Sequence, residues 1–203
     1  MGCSMNLTST HQGDIDRRIF VKELIAACPE ALIVTGLGSP SYDVFAAGDR
    51  DENFYLWGAM GGASALALGL ALAQPQKSVL VITGDGEQLM GLGSLASIGA
   101  QKIKNLTIVV LDNGHYGETG MQLSHTSLGT DIVGVAKACS LDWSFPVREM
   151  SGVSDIAQHV NARNGSGLAN VFIKAEEYPK ALPARDGVYI KNRFRSALGF
   201  KPF

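Results

Sequence analysis

Cysteine is scarce in this 203-residue sequence: there are three, Cys3, Cys28 and Cys139, far apart and odd in number. That argues against a disulfide framework and against a cysteine-held cluster, and it is the usage expected of a reduced, cytoplasmic protein. Charge imbalance is also lacking. Seventeen basic residues against nineteen acidic give a net charge of -2, so nothing points to nucleic acid or to an anionic membrane as a partner. No long hydrophobic run is present. The longest apolar stretch, Met60 to Ala73, is too short and too rich in Gly and Ala for a membrane span. The first fourteen residues have no basic n-region and no apolar h-region, so they are not expected to be a signal peptide. Met1-Gly2-Cys3 superficially resembles an acylation signal, but nothing else in the chain points to a membrane. A dinucleotide fingerprint is missing too. Gly36-Leu37-Gly38-Ser39-Pro40-Ser41 lacks the third Gly and has Pro where a helix begins, which weakens a Rossmann reading.

What is present is 46% apolar residues and 24 glycines, the composition of a compact α/β protein with many tight turns. Residues 1–13 are polar and expected to be loose. A helix is expected over Asp14–Cys28, with Asp14 as its N-cap. A strand follows over Ala31–Thr35, then a Gly-rich turn and a short helix, Ser41–Ala47. Phe54–Leu56 is extended, and Ala63–Ala73 is a small-residue helix that lets another backbone approach. Ser78–Thr83 and Leu106–Leu111 read as buried parallel strands, joined by a crossover helix over Gln88–Lys102. Thr130–Cys139 and Val153–Asn164 are helical, and Phe145–Glu149 and Ala169–Lys174 are strands. This alternation predicts a doubly wound parallel sheet with helices on both faces, over residues 14–175. Residues 176–203 show no clear period. From Lys180 on they hold six basic residues and one acidic, with Phe194, Leu198, Phe200 and Phe203. They are expected to wrap a partner subunit. Trp57 and Trp143 read as core or interface aromatics.

The two central strands organise the chemistry. One runs into Gly84-Asp85-Gly86 and the other into Asn113. A right-handed crossover puts both C-terminal ends on one edge of the sheet. Asp85 and Asn113, 28 positions apart, are then neighbours. A carboxylate beside an amide oxygen, flanked by glycines, suits Mg²⁺ carrying a phosphate ligand. The main-chain carbonyl of His115 offers a third oxygen. Gly84 and Gly86 let N–H groups approach a diphosphate, and Glu87 and Gln88 read as helix-start residues near it.

Gly84-Asp85-Gly86 followed by Asn113 resembles the signature of thiamine diphosphate (ThDP, thiamine pyrophosphate) enzymes, in their diphosphate-binding domain. Gly58-Ala59-Met60-Gly61 resembles the stretch that places a bulky aliphatic side chain beneath the cofactor. The resemblance makes Met60 that wedge and gives the Gly58 carbonyl the aminopyrimidine amine. Gly36-Leu37-Gly38-Ser39 resembles the first diphosphate-contacting loop. Asn113-Gly114-His115-Tyr116-Gly117-Glu118-Thr119-Gly120 is most similar to the β subunit of sulfopyruvate decarboxylases and to the matching part of phosphonopyruvate decarboxylases. The implied activity is non-oxidative decarboxylation of a 2-oxoacid to an aldehyde, with ThDP and Mg²⁺. This loop is expected to close over the cofactor, with His115 or Glu118 as proton relay or substrate reader and Tyr116 and Gly117 beside the cofactor. Gln122 and His125 lie further along it.

In this family a Glu from a separate pyrimidine-binding domain activates the cofactor. The sequence holds one α/β unit, so that Glu is expected from a separate pyrimidine-domain (α) subunit, in a homo- or hetero-oligomer. The few basic residues near the motifs suggest that a pocket for a second anionic group also belongs to the partner. The alternatives are a carboligase or lyase on another 2-oxoacid, and a non-catalytic ThDP-binding partner subunit.

Overall fold

The computed structural model describes residues 13–201. The chain opens with α1 (Arg17–Ala27), β1 (Leu32–Thr35), α2 (Ser39–Ala47), β2 (Asn53–Tyr55) and α3 (Ala63–Ala73). The central unit is β3 (Val79–Gly84), α4 (Asp85–Met90), α5 (Ser94–Gln101) and β4 (Leu106–Asp112). After it come a small hairpin, β5 (His115–Tyr116) and β6 (Gln122–Leu123), then α6 (Ile132–Ala138), β7 (Trp143–Val147), α7 (Gly152–Ala162), β8 (Gly167–Phe172) and α8 (Gly187–Ala197). The six-stranded sheet has the order β2-β1-β3-β4-β8-β7, parallel at every pairing. The expected doubly wound α/β architecture is present.

Its strands are buried on both faces, which is why they read as near-continuous apolar runs. Along β3, Leu80 and Ile82 join Phe20 and Leu24 of α1, Val44 of α2 and Ile156 of α7. Val79 and Val81 join Ala67 of α3, Leu95 and Ile98 of α5 and Ile132 of α6 on the opposite face. The strand order reverses between β1 and β3. Ligands of open α/β sheets bind outside the carboxyl ends of the strands at such a switch point. Here those ends carry the Gly36 turn and Gly84-Asp85-Gly86.

Three expectations need correction. The cap of α1 is Asp16, whose carboxylate accepts from the Arg18 and Ile19 amides. Asp14 lies before it, because Ile15 is held in an isolated bridge with Ile173. The crossover over Gln88–Lys102 is two helices. Gly91-Leu92-Gly93 interrupts it, since two glycines lower helix propensity by about 1 kcal/mol each and Gly91 packs directly on the Gly61 peptide. The C-terminal stretch contains α8, capped by Asp186. Only Ile190 and Phe194 of α8 are buried, too narrow a stripe to stand out in the sequence. Phe194 meets Phe54 edge-on at 5.5 Å, and the Arg193 guanidinium pairs with Asp49 at 2.6 Å. The expected loose segment lies, apart from Gly13, outside the described residues. Among the described residues no helix is long and apolar enough to cross a membrane, and Cys28 and Cys139 are free thiols.

Candidate functional site

A cleft of about 210 Å³ opens at the switch point. It is lined by Ser39, Met60, Gly84, Asp85, Gly86, Glu87, Asn113, His115, Tyr116, Gly117 and Glu118, all expected from the sequence, together with Arg17 and several apolar side chains. Gly36, Gly38, Gly58 and Ala59 stand behind or beside this wall. Gly36 opens the turn after β1, and Gly38 caps α2 with φ 78. Gly58 has φ 71, and the Ala59 carbonyl accepts the Gly62 amide at 2.9 Å.

Asp85 starts α4 one residue past the Gly84–Leu111 register pair, so β3 and β4 bring it beside Asp112 and Asn113. Its carboxylate is buried. Ser124 donates to Oδ2 at 2.5 Å, and Thr126 donates to the same oxygen at 3.3 Å. Burial first, and then the neighbouring Asp112 carboxylate, push the Asp85 carboxyl up to about 7. Asp112 accepts from Thr126, from the Gly114 amide and from Asn170, each at 2.9 Å. The Asn113 side-chain oxygen accepts the His115 amide at 2.9 Å, while His115 Nδ1 lies 2.7 Å from the Asn113 carbonyl. Asp85, beside the Asn113 amide and main-chain oxygens, offers a hard-oxygen donor set whose chemistry fits Mg²⁺, and the buried Asp112 behind it adds negative charge. Among the described residues no group of three His, Cys, Asp or Glu could hold a metal. Oxygens of a bound ligand would therefore have to complete the coordination.

The other expected residues divide by environment. Met60 is 42% exposed, so it fills no core gap and presents its side chain to the cleft. A Cβ on Gly86 would lie 2.8 Å from the Tyr116 ring, so that glycine lets the ring lie against the turn. The Tyr116 hydroxyl is 2.6 Å from His125 Nδ1. Glu118 packs against Gly38, where a Cβ would meet its Oε1 at 2.9 Å, and Lys180 approaches it at 3.5 Å. The loop after Asn113 is a short hairpin. Its far end is tied down by the Ser124 and Thr126 bonds and by Ser127, which donates to the Gly114 carbonyl at 2.7 Å.

Glu87 is placed differently from a diphosphate contact. Its buried carboxylate turns beneath β1 and accepts the Leu37 amide at 2.7 Å. A Cβ on Gly36 would fall 1.8 Å from Glu87 Oε2. Burial raises its pKa, opposed chiefly by the Leu37 amide. Glu87 thus holds the Gly36–Ser39 turn from behind. Glu87→Ala leaves the half-buried Leu37 amide without its acceptor and is expected to cost about 1–2 kcal/mol in urea denaturation. Glu87→Gln keeps an acceptor and is expected to stay within about 1 kcal/mol. Equal losses in the two variants would contradict this role.

Sequence reasoning missed Arg17, Asp112, Ser124 and Thr126. Asp112 directly precedes the motif Asn and was readable as a strand-end carboxylate. Ser124 and Thr126 carried no local signal, and Arg17 is brought in by a helix lying some seventy residues before Asp85.

Residues 45–177 match the family described as thiamine pyrophosphate enzyme, C-terminal TPP binding domain. The chain is 48% identical over 111 residues to sulfopyruvate decarboxylase subunit beta of Methanocaldococcus jannaschii, covering 55% of this chain and 58% of that one. Against the subunit of the same name from Methanococcus maripaludis it is 35% identical over 187 residues, 91% of this chain and 98% of the other. Phosphonopyruvate decarboxylase of Streptomyces viridochromogenes is 35% identical over 188 residues, but this chain spans only 46% of its length. Among solved structures, a thiamine diphosphate-dependent 4-hydroxybenzoylformate decarboxylase of Rhodococcus jostii superposes with a TM-score of 0.68 at 20% identity. The match covers 88% of this chain and 36% of that one, and it speaks to the fold.

Proposed function

The chain belongs to the thiamine pyrophosphate enzymes through its TPP-binding domain, and from that premise we propose that it is the ThDP- and Mg²⁺-binding subunit of a two-subunit decarboxylase for a sulfopyruvate- or phosphonopyruvate-like 2-oxoacid. The observation that carries this reading is the buried Asp85, crowded by Asp112 and next to Asn113 at the switch-point edge. The names of the relatives that match along most of this chain support the substrate class.

In this reading Asp85, Asn113 and the His115 carbonyl hold Mg²⁺, and main-chain amides at Gly84–Gly86 and at Gly38–Ser39 face the diphosphate, the Gly36 and Leu37 amides being taken by the Ile82 carbonyl and Glu87. Met60 supports the cofactor from below, and the Gly58 carbonyl accepts its amine. Bound ThDP supplies the nucleophilic carbon and the electron sink for loss of CO₂. His115, beside Asn113 in the wall, and Glu118, at the mouth, hold or pass a proton there.

Two features support a partner subunit. The cleft is smaller than the roughly 300–1,000 Å³ usual for small-molecule sites, so this chain encloses part of the ligand. Next to it, α3 is apolar all round, with Ala65, Gly69 and Leu72 exposed, and Met90 lies 65% exposed nearby. A helix apolar on every face calls for burial, and a pyrimidine-domain subunit seated there would complete the site. Tyr189 and Phe200, exposed on the C-terminal segment, offer it further contact.

Titration calorimetry and CO₂ release test the proposal. The chain is expected to bind ThDP only with Mg²⁺, to ignore NAD, and to lose ThDP binding in Asp85→Ala. Alone it should release no CO₂ from 3-sulfopyruvate, and turnover should appear when a pyrimidine-domain subunit is added. Binding of NAD, or full turnover by the chain alone, would overturn it.

A further inference from the structure

Among the described residues, Arg17 is the only Lys or Arg that lines the cleft. It shares that lining with three acids, Asp85, Glu87 and Glu118. It is 6% exposed, at the first position of α1, where the cap formed by Asp16 sets the direction of the helix. Its position is over-determined. Nη1 lies 3.2 Å from Asp43 Oδ2, and the guanidinium stacks on the Tyr178 ring at 4.9 Å. The Tyr178 hydroxyl in turn donates to Asp16 at 2.8 Å.

The local charge is unevenly shared. Arg18 binds the other oxygen of Asp43 at 3.1 Å, so one buried carboxylate serves two guanidinium groups. Arg17 Nε is buried with no hydrogen-bond partner. A guanidinium half-paired by its own carboxylate, held rigid by an aromatic face and turned into a cleft, is suited to an oxyanion. Its planar fork matches the spacing of phosphate-like oxygens. Ser39 and Pro40, at the first turn of α2, line the same cleft.

We propose that Arg17 supplies the counter-charge for an oxyanion bound in the cleft. The oxyanion is the sulfonate or phosphonate of the 2-oxoacid, or else the diphosphate of ThDP. The substrate alternative rests on the function proposed above and deepens it. It also revises the expectation that the cationic pocket belongs wholly to a partner.

The test uses the full chain with its pyrimidine-domain partner, and the variants Arg17→Gln and Arg17→Lys. ThDP affinity with Mg²⁺ is read by calorimetry on the chain, and KM and kcat for 3-sulfopyruvate and for pyruvate are read on the complex. If the substrate anion is the ligand, Arg17→Gln raises KM for 3-sulfopyruvate about tenfold to hundredfold, the range for losing a hydrogen bond to a charged group. KM for pyruvate and the affinity for ThDP then stay unchanged. If the diphosphate is the ligand, ThDP affinity falls by that factor and both oxoacids suffer alike. Should Arg17→Gln fail to fold, Arg17→Lys decides, with a shift of roughly threefold to tenfold in the same parameter, because a point charge replaces the fork. A folded variant that leaves both ThDP affinity and oxoacid selectivity unchanged overturns the proposal, and so does an equal fall in kcat for both substrates at unchanged ThDP affinity. If the wild-type complex turns over no sulfonate- or phosphonate-bearing oxoacid, the functional reading fails, and ThDP affinity alone then decides on Arg17.

Discussion

Asp85→Asn raises the melting temperature of the metal-free chain at pH 8 and removes its Mg²⁺-dependent binding of ThDP. Both outcomes come from one cause. The Asp85 carboxyl titrates near 7 in the fold because it is buried beside Asp112, against 3.8 for an unperturbed Asp. The folded state thus keeps a proton that the unfolded chain has released. Asp85 favours folding fully below about pH 4, and that contribution is lost as the pH rises towards and through 7. At 1.36 kcal/mol per pKa unit the cost at pH 8 is on the order of 4 kcal/mol as an upper limit. The amide carries no charge and still hydrogen-bonds Ser124. A gain of about 1–2 kcal/mol is expected, or roughly 2–8 °C for a chain of this size. Wild-type stability should fall from pH 5 to pH 8 in metal-free buffer, and the fall should be smaller in the variant, where the buried Glu87 and Asp43 carboxyls, also raised by burial, still contribute to it. ThDP affinity in saturating Mg²⁺ should drop about a hundredfold or more, since a neutral amide replaces the one buried carboxylate that faces the cleft beside Asn113. Calorimetric melts and titrations check both halves. A variant that binds ThDP within about threefold of wild type would remove Asp85 from the metal site.

Gly91→Ala is the second large effect, and it comes from a contact that no motif marks. A Cβ on Gly91 would lie 2.1 Å from the Gly61 carbonyl oxygen and 3.0 Å from its carbon. Both partners are backbone, so no rotamer relieves the clash. Gly61 has φ 88 and in turn faces the Gly91 amide. The turn carrying Met60 and the break between α4 and α5 therefore pack glycine to glycine. Overpacking of this kind costs about 1–3 kcal/mol and occasionally more. Displacing Gly61 also displaces Met60, so ThDP binding is expected to weaken about tenfold. Gly93→Ala is the control. Nothing lies within 4 Å of its Cβ, its φ of -61 suits alanine, and a gain of about 0.4–1 kcal/mol is expected from the stiffer unfolded chain. Equal unfolding midpoints for the two variants would show that the Gly61–Gly91 contact gives way freely.

Much of the molecule was legible in the sequence. The double-sided burial of β3 and β4 makes them apolar runs, and glycines with an Asp or Asn at their ends mark the active edge. Local text therefore placed Asp85 and Asn113 together at that edge, while Met60 was singled out only by the resemblance that Gly58-Ala59-Met60-Gly61 carries. The helix break at Gly91 was harder to read, since Leu89, Leu92 and Leu95 keep a helical spacing across it. The α8 helix was hidden because two buried residues, Ile190 and Phe194, are enough to dock it on the edge of β2.

The sequence by itself determined the fold class, the two strand ends that meet, and the chemistry of the pair they carry. These depend on period, turn residues and the handedness of one crossover, all of them local. Only the tertiary structure decided what surrounds that pair. It placed Asp112, Ser124 and Thr126 around Asp85, turned Glu87 beneath Gly36, set Gly91 on Gly61, and brought Arg17 from α1 to the wall of the cleft. Those contacts join residues tens of positions apart through sheet order and helix docking, and burial then sets the proton affinity of each group. The residues around Gly84-Asp85-Gly86 suggested a candidate cation site, and the packing around them buried its carboxylate beside a second one.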